Sequence, residues 1–550
     1  MARTLKTLLC LLLVAALLVG CTPTSPAGNE EPKELTLEER LAEYAKLGTS
    51  PDDNYRTWYE IFVYSYCDSN GDGIGDLQGV ISKLDELTAL GVTGIWLMPI
   101  HPSTSYHKYN VNDYYAIDPA YGTMADFDAL IAACDERGIK VILDLVVNHS
   151  GDQNPWFTEA IEYLQSLGLG EFGYEDECKY FGYYNFVESS TNPGKGFAKI
   201  PGTFYHYECQ FSGDMPDLNW ECEAMREDVK NVMKFWLDKG AAGFRVDAAK
   251  EFYTGNITKN AEVMNWLQET ATSIKPDAYL VAEVWEPGYK IIESYYESNF
   301  TSIFNYPFGN YDGKLIQVVN GRGNPAMVST WASAQQTASA AYAGASENYI
   351  DAPFISNHDV GRIYGFVSGD VMRMKMAAAM SLFMAGSVFM YYGDEIGMPG
   401  SGNDPSKRAP MVWSTEGAEG TTTLPPGCTL PGDGYPLGGL EQQKADESSL
   451  YNYYRELIAV RNAIPTIARG VPTVETGLNI GCVSASRRTW GEEECIILMN
   501  IDDEAAVADL SGYTDWEVKV TLSADGQPTE LEGTDLNMAP YGVAILTPKK

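Results

Sequence analysis

GFRVDAAKE, residues 243–251, places a basic and an acidic side chain two positions apart inside an otherwise apolar run. Side chains two apart on a strand share a face, so Arg245 and Asp247 project together. Seven further runs have a similar apolar, β-branched and aromatic character: WYEIFVYSY (58–66), VTGIWLMP (92–99), KVILDLVVN (140–148), YLVAEVW (279–285), SIFNYPF (302–308), APFISNHD (352–359) and SVFMYYGDE (387–395). Amphipathic stretches such as LQGVISKLDELTALG and EAMREDVKNVMKFWLDKG lie between most of them. Near-continuous apolar strands alternating with helices indicate a parallel sheet covered by helices, and eight such units predict a closed (β/α)8 TIM barrel.

The barrel is expected over residues 52–149 and 218–468, interrupted after the third strand by a subdomain at 150–217 with no clear βα unit. From about 469 to 550, short strands with polar turns, as in CVSASRRTW and CIILMNI, predict a C-terminal antiparallel β-sandwich domain.

In such a barrel the C-terminal strand ends carry the chemistry. Here those ends hold Asp144, Asn148 and His149 on the third strand, Arg245 and Asp247 on the fourth, Glu283 on the fifth, and Asn357, His358 and Asp359 on the seventh. A buried ion-pair network closing the barrel would use the same residue types. With four strand ends contributing, however, so many desolvated charges would be costly without a chemical role. Glycoside hydrolysis has such a role for them: one carboxylate attacks or steadies a cationic sugar carbon while another protonates the leaving oxygen.

The motifs DLVVNH (144–149), GFRVDAAKE (243–251), the glutamate of VAEVW and FISNHD (354–359) resemble, in order and spacing, the four signature regions of the α-amylase family, glycoside hydrolase family 13. GVTGIWLMP (91–99), MPDLN (215–219) and MYYGDEIGM (390–398) extend the resemblance over about residues 52–468. The resemblance implies that Asp247 is the nucleophile, Glu283 the acid/base and Asp359 the third carboxylate, which stabilises the transition state. It implies that Arg245 orients the nucleophile and that His149, His358 and Asn357 belong to the sugar subsite before the cut. In SYHKYN (105–110), Tyr109 matches the ring that stacks on that sugar, with His107 nearby; Asp144 is expected as a support beneath it.

CDSNGDGIGD (67–76) carries a separate signal. Asp68, Asn70, Asp72 and Asp76 place hard oxygen donors at alternate positions, the Ile74 carbonyl can add one, and three glycines allow a tight loop. A structural Ca²⁺ is expected there, although Gly79 stands where an EF-hand would carry its bidentate glutamate; an Asx-rich turn without metal is the other reading. A second calcium near Asn148 is not expected, because Glu251 replaces the histidine that the family carries after Lys250.

Ala248 and Lys250 resemble family members that accommodate an α-1,4 chain across the cut. The expectation is a retaining, endo-acting α-amylase on starch and maltooligosaccharides. A neopullulanase-like or oligo-1,6-glucosidase-like α-glucosidase is the alternative, and a non-catalytic barrel is disfavoured by the presence of all three acids.

At the N-terminus, Arg3 and Lys6 precede an apolar run too short to span a bilayer, ending in LVGC. This predicts a lipoprotein signal over 1–20 with Cys21 as the lipidated residue, then a solvated tether over 21–51. The expected location is outside the cytoplasm, lipid-anchored to the bacterial cell membrane. The net charge of −37 argues against nucleic acid or anionic lipid as partners. A monomer is expected, and the eight cysteines beyond Cys21 show no zinc-type spacing.

Overall fold

The computed structural model describes residues 35–417, 419–430 and 434–549. The expected signal and Cys21 lie outside these residues.

Parallel strands Thr57–Ile61, Gly94–Leu97, Lys140–Leu145, Gly243–Val246, Tyr279–Ala282 and Ser302–Ile303 run in consecutive register, with Val388–Tyr391 beside the first. Single parallel bridges, Phe304 to Ala352 and Phe354 to Phe389, close the ring through the seventh position. The barrel is therefore closed, but its sixth and seventh staves are shorter than the apolar runs suggest. SIFNYPF yields only two strand residues. Pro307 lacks an N–H, and the Asn305 amide turns to the Asp351 carboxylate at 2.8 Å. WYEIFVYSY also divides, into a strand ending at Ile61 and a short helix Val63–Tyr66.

Alternation along the strands fills the barrel with Trp58, Trp96, Ile142, Tyr279, Val281, Phe304, Phe354 and Phe389, all buried. Trp58 stacks between Tyr279 at 5.2 Å and Phe389 at 5.9 Å. Such a packed plug leaves no pore, and the site must form above it. Close fit also fixes Gly243: its φ is +156°, and a Cβ there would lie 1.8 Å from the Tyr279 carbonyl oxygen.

The insertion after the third strand contains helix Pro155–Ser166 and a three-stranded antiparallel sheet, Phe186–Glu188, Phe197–Lys199 and Tyr205–Glu208. It is clamped to the barrel where Leu218 N–H donates to the Asn148 carbonyl at 2.9 Å. Past Val471, a five-stranded and a three-stranded antiparallel sheet share one core, with Leu498 and Leu546 facing Ala508 and Leu536.

The stretch expected as a tether departs from that reading at Leu37–Ala45, which is a helix with a Thr36/Glu39 capping box. It packs on helix Leu450–Ala463 through Arg40 to Glu456 at 2.6 Å and through buried Tyr44. All eight cysteines among the described residues are free thiols.

Candidate active site

The inner face that fills the plug becomes ionisable two residues further along five of the strands. Glu60 follows Trp58, Asp144 follows Ile142, Glu283 follows Val281, and Tyr306 follows Phe304; Arg245 and Asp247 continue the face that starts at Gly243. At their centre the buried Arg245 guanidinium donates to Asp144 Oδ1 at 2.7 Å, Asp247 Oδ1 at 2.6 Å and Glu283 Oε2 at 2.8 Å. Trp96 and Tyr109 lie against its faces, with centroids 5.2 and 5.7 Å away. One cation bound to three carboxyls fixes their positions but cannot neutralise them all.

Ala248 has a positive φ of +47°, which turns its N–H toward Glu283 Oε2 at 2.9 Å. This is a sparsely populated conformation for a residue with a Cβ, and it sits directly after Asp247. The Tyr306 hydroxyl reaches the other Glu283 oxygen at 3.4 Å.

Asp359 is held differently. His358 Nε2 lies 2.9 Å from its Oδ2, and Arg408 donates to its Oδ1 at 2.8 Å. His358 Nδ1 in turn contacts Glu60 at 2.5 Å, and its Nε2 also meets the Tyr109 hydroxyl at 2.7 Å. Asn357 sits behind this group, its amide oxygen accepting the N–H groups of Asp359 and Val360.

These contacts set the charges. Burial opposes ionisation of Asp359, but His358 and Arg408 overcome it and hold the carboxyl well below its usual range. Burial also disfavours the His358 cation, yet Asp359 and Glu60 raise it to about 9. Glu283 moves upward, through burial reinforced by Asp247 and Asp359 and opposed by Arg245. Burial raises Asp247 too, again against Arg245, and pushes Asp144 to about 7. His107 and His149 are lowered to about 4 by burial, so both are neutral hydrogen-bonding groups at pH 7.

Asp247, Glu283 and Asp359 line one cavity of about 530 Å³. Tyr109, His107, His149 and Lys250 line it as well. Lys250 is fixed by Glu286 at 2.9 Å and by the Trp285 carbonyl at 3.1 Å. Arg245, His358 and Asn357 stand behind the wall, acting on the lining carboxyls. Phe211 of the insertion and Trp285 are further lining residues; Trp285 stacks on Tyr306 at 5.2 Å. Sequence reading missed Glu60 and Arg408. Glu60 is the single acid in its apolar run, spaced by two from Trp58, which is a usable signal; Arg408 lies in a loop with none.

The profile described as "Alpha amylase, catalytic domain" matches residues 60–470. The chain belongs to the α-amylase family. It is a family 13 glycoside hydrolase. Within that family it is 37% identical to Alpha-amylase 3 of Dictyoglomus thermophilum over 418 residues, 75% of this chain and 78% of the relative. It is 27% identical to the oligo-1,6-glucosidase of Bacillus cereus over 580 residues, 88% of this chain and 97% of the relative. The solved structure of Eubacterium rectale Amy13B superposes with a TM-score of 0.89 at 39% identity, covering 94% of this chain and all of that one.

In the loop at 68–76, Asp68 accepts N–H groups from Asn70, Gly71 and Gly73 at 2.7–3.0 Å, with Gly71 and Gly73 at positive φ. Asp76 differs in role: it caps helix Leu77–Ser82 through Gly79 N–H and binds Ser69. Among the described residues, no three His, Cys, Asp or Glu side chains converge as a metal site. Asn70 and Asp72 likewise accept the N–H groups of Asp72 and Ile74 through a side-chain oxygen, so each of the four expected side-chain donors, Asp76 included, is oriented by backbone N–H groups of its own loop or of the helix start.

Proposed function

We propose that the protein is a retaining, endo-acting α-amylase that hydrolyses α-1,4-glucosidic bonds of starch and maltooligosaccharides. The observation that carries this reading is the meeting of Asp247, Glu283 and Asp359 around one cavity, two of them bridged by a single guanidinium. Such bridging is in keeping with the roughly 5–5.5 Å between carboxyls in retaining glycosidases. Asp247, supported by Arg245, attacks the anomeric carbon. Glu283, raised by burial, protonates the leaving oxygen and later deprotonates the incoming water. Asp359, kept ionised by His358 and Arg408, steadies the cationic sugar, and Tyr109 offers a ring to stack on it.

Ala248 presents only a methyl group to the cavity, which favours passage of an α-1,4 chain. Relatives such as the B. cereus oligo-1,6-glucosidase support a second reading, an α-glucosidase acting on α-1,6 bonds. Chromatography of products from amylose, pullulan and isomaltose separates the two. The first reading predicts maltooligosaccharides of mixed length from amylose; glucose alone from isomaltose, with amylose intact, would overturn it.

Calcium at Asp68, Asn70, Asp72, Asp76 and the Ile74 carbonyl is proposed as a structural ion remote from the chemistry, with the alternating oxygen donors and tight glycine loop as its support. The LVGC ending supports a lipid anchor at Cys21 and a position outside the cytoplasm, held to the bacterial cell membrane. A monomer is proposed.

A further inference from the structure

On the outer wall of the barrel, away from the catalytic cavity, two cavities adjoin through Arg226, Trp266 and Glu269. One, about 430 Å³, lies between helices Glu223–Asp238 and Ile257–Ile274. The other, about 900 Å³, continues past Trp266 to residues 294–299 at the end of helix Tyr289–Tyr296. The groove they form is larger than the catalytic cavity.

Trp266 is half-buried and rests edge-on against Trp220 at 5.7 Å. The indole N–H groups of Trp220 and Trp236 donate to the carbonyls of Val147 and Tyr114. Among the described residues, the Trp266 N–H and the adjacent Asn265 amide have no hydrogen-bond partner. Arg226 is fixed in place by the Trp220 carbonyl at 2.5 Å. Five glutamates line the groove against Arg226 and Lys230, which excludes an anionic ligand. An indole face, unspent amide donors and carboxylate acceptors suit a neutral polyol, whose apolar ring face packs on tryptophan while its hydroxyls bond to the rim.

Position supplies the occupant. Lys250 and Glu251 line the catalytic cavity, and Ile257 and Thr258, on the same stretch of chain, line the groove. Six residues span at most about 22 Å, so one polysaccharide can engage both places. We propose that this groove is a second α-glucan-binding site, which holds one part of a polymer while another part occupies the catalytic cavity. The proposal rests on the α-glucan substrate put forward above. Tethering of this kind raises the effective concentration of cleavable bonds without touching the chemistry.

The test compares wild type with Trp266→Ala and, because a half-buried tryptophan also serves packing, with the surface pair Asn265→Ala/Glu269→Ala. The KM on amylopectin is expected to rise about threefold or more in both, with kcat and the kcat/KM on a chromogenic maltotrioside unchanged. In the catalytically silent Glu283→Gln background, both changes should weaken retention in a native gel containing amylopectin. Wild-type retention and KM in both variants, alongside normal cleavage of short substrates, would overturn the second site and leave the proposed activity standing. A wild-type enzyme that cleaves no α-glucan would overturn both.

Discussion

His358 carries its charge because it lies between two carboxylates, Glu60 and Asp359, in a buried position. Its folded-state value of about 9 lies above the roughly 6.5 of an unfolded histidine, so its contribution to stability is complete below about 6.5 and disappears as pH rises through 9. Urea denaturation of wild type and His358→Asn should therefore show the widest gap near pH 6, narrowing toward pH 9.5; a gap that stays constant would contradict the charged assignment. Asp247→Ala should lower kcat by at least about 10³-fold while the fold persists, and loss of less than tenfold in steady-state assays would remove it as nucleophile. Asp247, Glu283 and Asp359 were readable in the sequence because strand ends and motif spacing mark them. Arg408 was not, since its partner Asp359 is 49 positions away and only the folded chain brings them together.

At the scale of the element, the strand-to-loop turn after Asp247 stores strain at Ala248, whose φ is +47°. A β-branched residue tolerates that conformation poorly, so Ala248→Val should cost about 1–3 kcal/mol in urea denaturation and lower kcat/KM on starch, because the side chain also lines the cavity. Ala248→Gly should retain stability; equal behaviour of the two variants would remove strain as the explanation. Six of the eight staves were legible as apolar runs because their residues pair with neighbours over several positions. The sixth and seventh were overstated: polar or proline residues follow the apolar start, and the ring closes there through isolated bridges at Phe304 and Phe354. Helix Leu37–Ala45 was hidden by the polar stretch before it, although Thr36 and Glu39 spell a capping box, and its long-range partner Glu456 was invisible locally.

Across the whole molecule, an aromatic plug supports a charged layer, and an inserted subdomain and distal loops wall the cavity above it. The barrel was legible because its period repeats along the chain, whereas the groove at Trp266 was not, because it is made by three helices packing side by side. If the loop at 68–76 binds calcium, excess chelator should lower the melting temperature, and Asp68→Ala should abolish that response; identical melting with and without calcium would argue for the metal-free Asx turn. The central claim is that Asp247 attacks the sugar and Glu283 first protonates, then deprotonates, on the same face. Time-resolved ¹H NMR of maltoheptaose hydrolysis tests it most directly: the newly formed reducing ends should appear first as the α-anomer and only later mutarotate. Initial appearance of the β-anomer would contradict the double displacement.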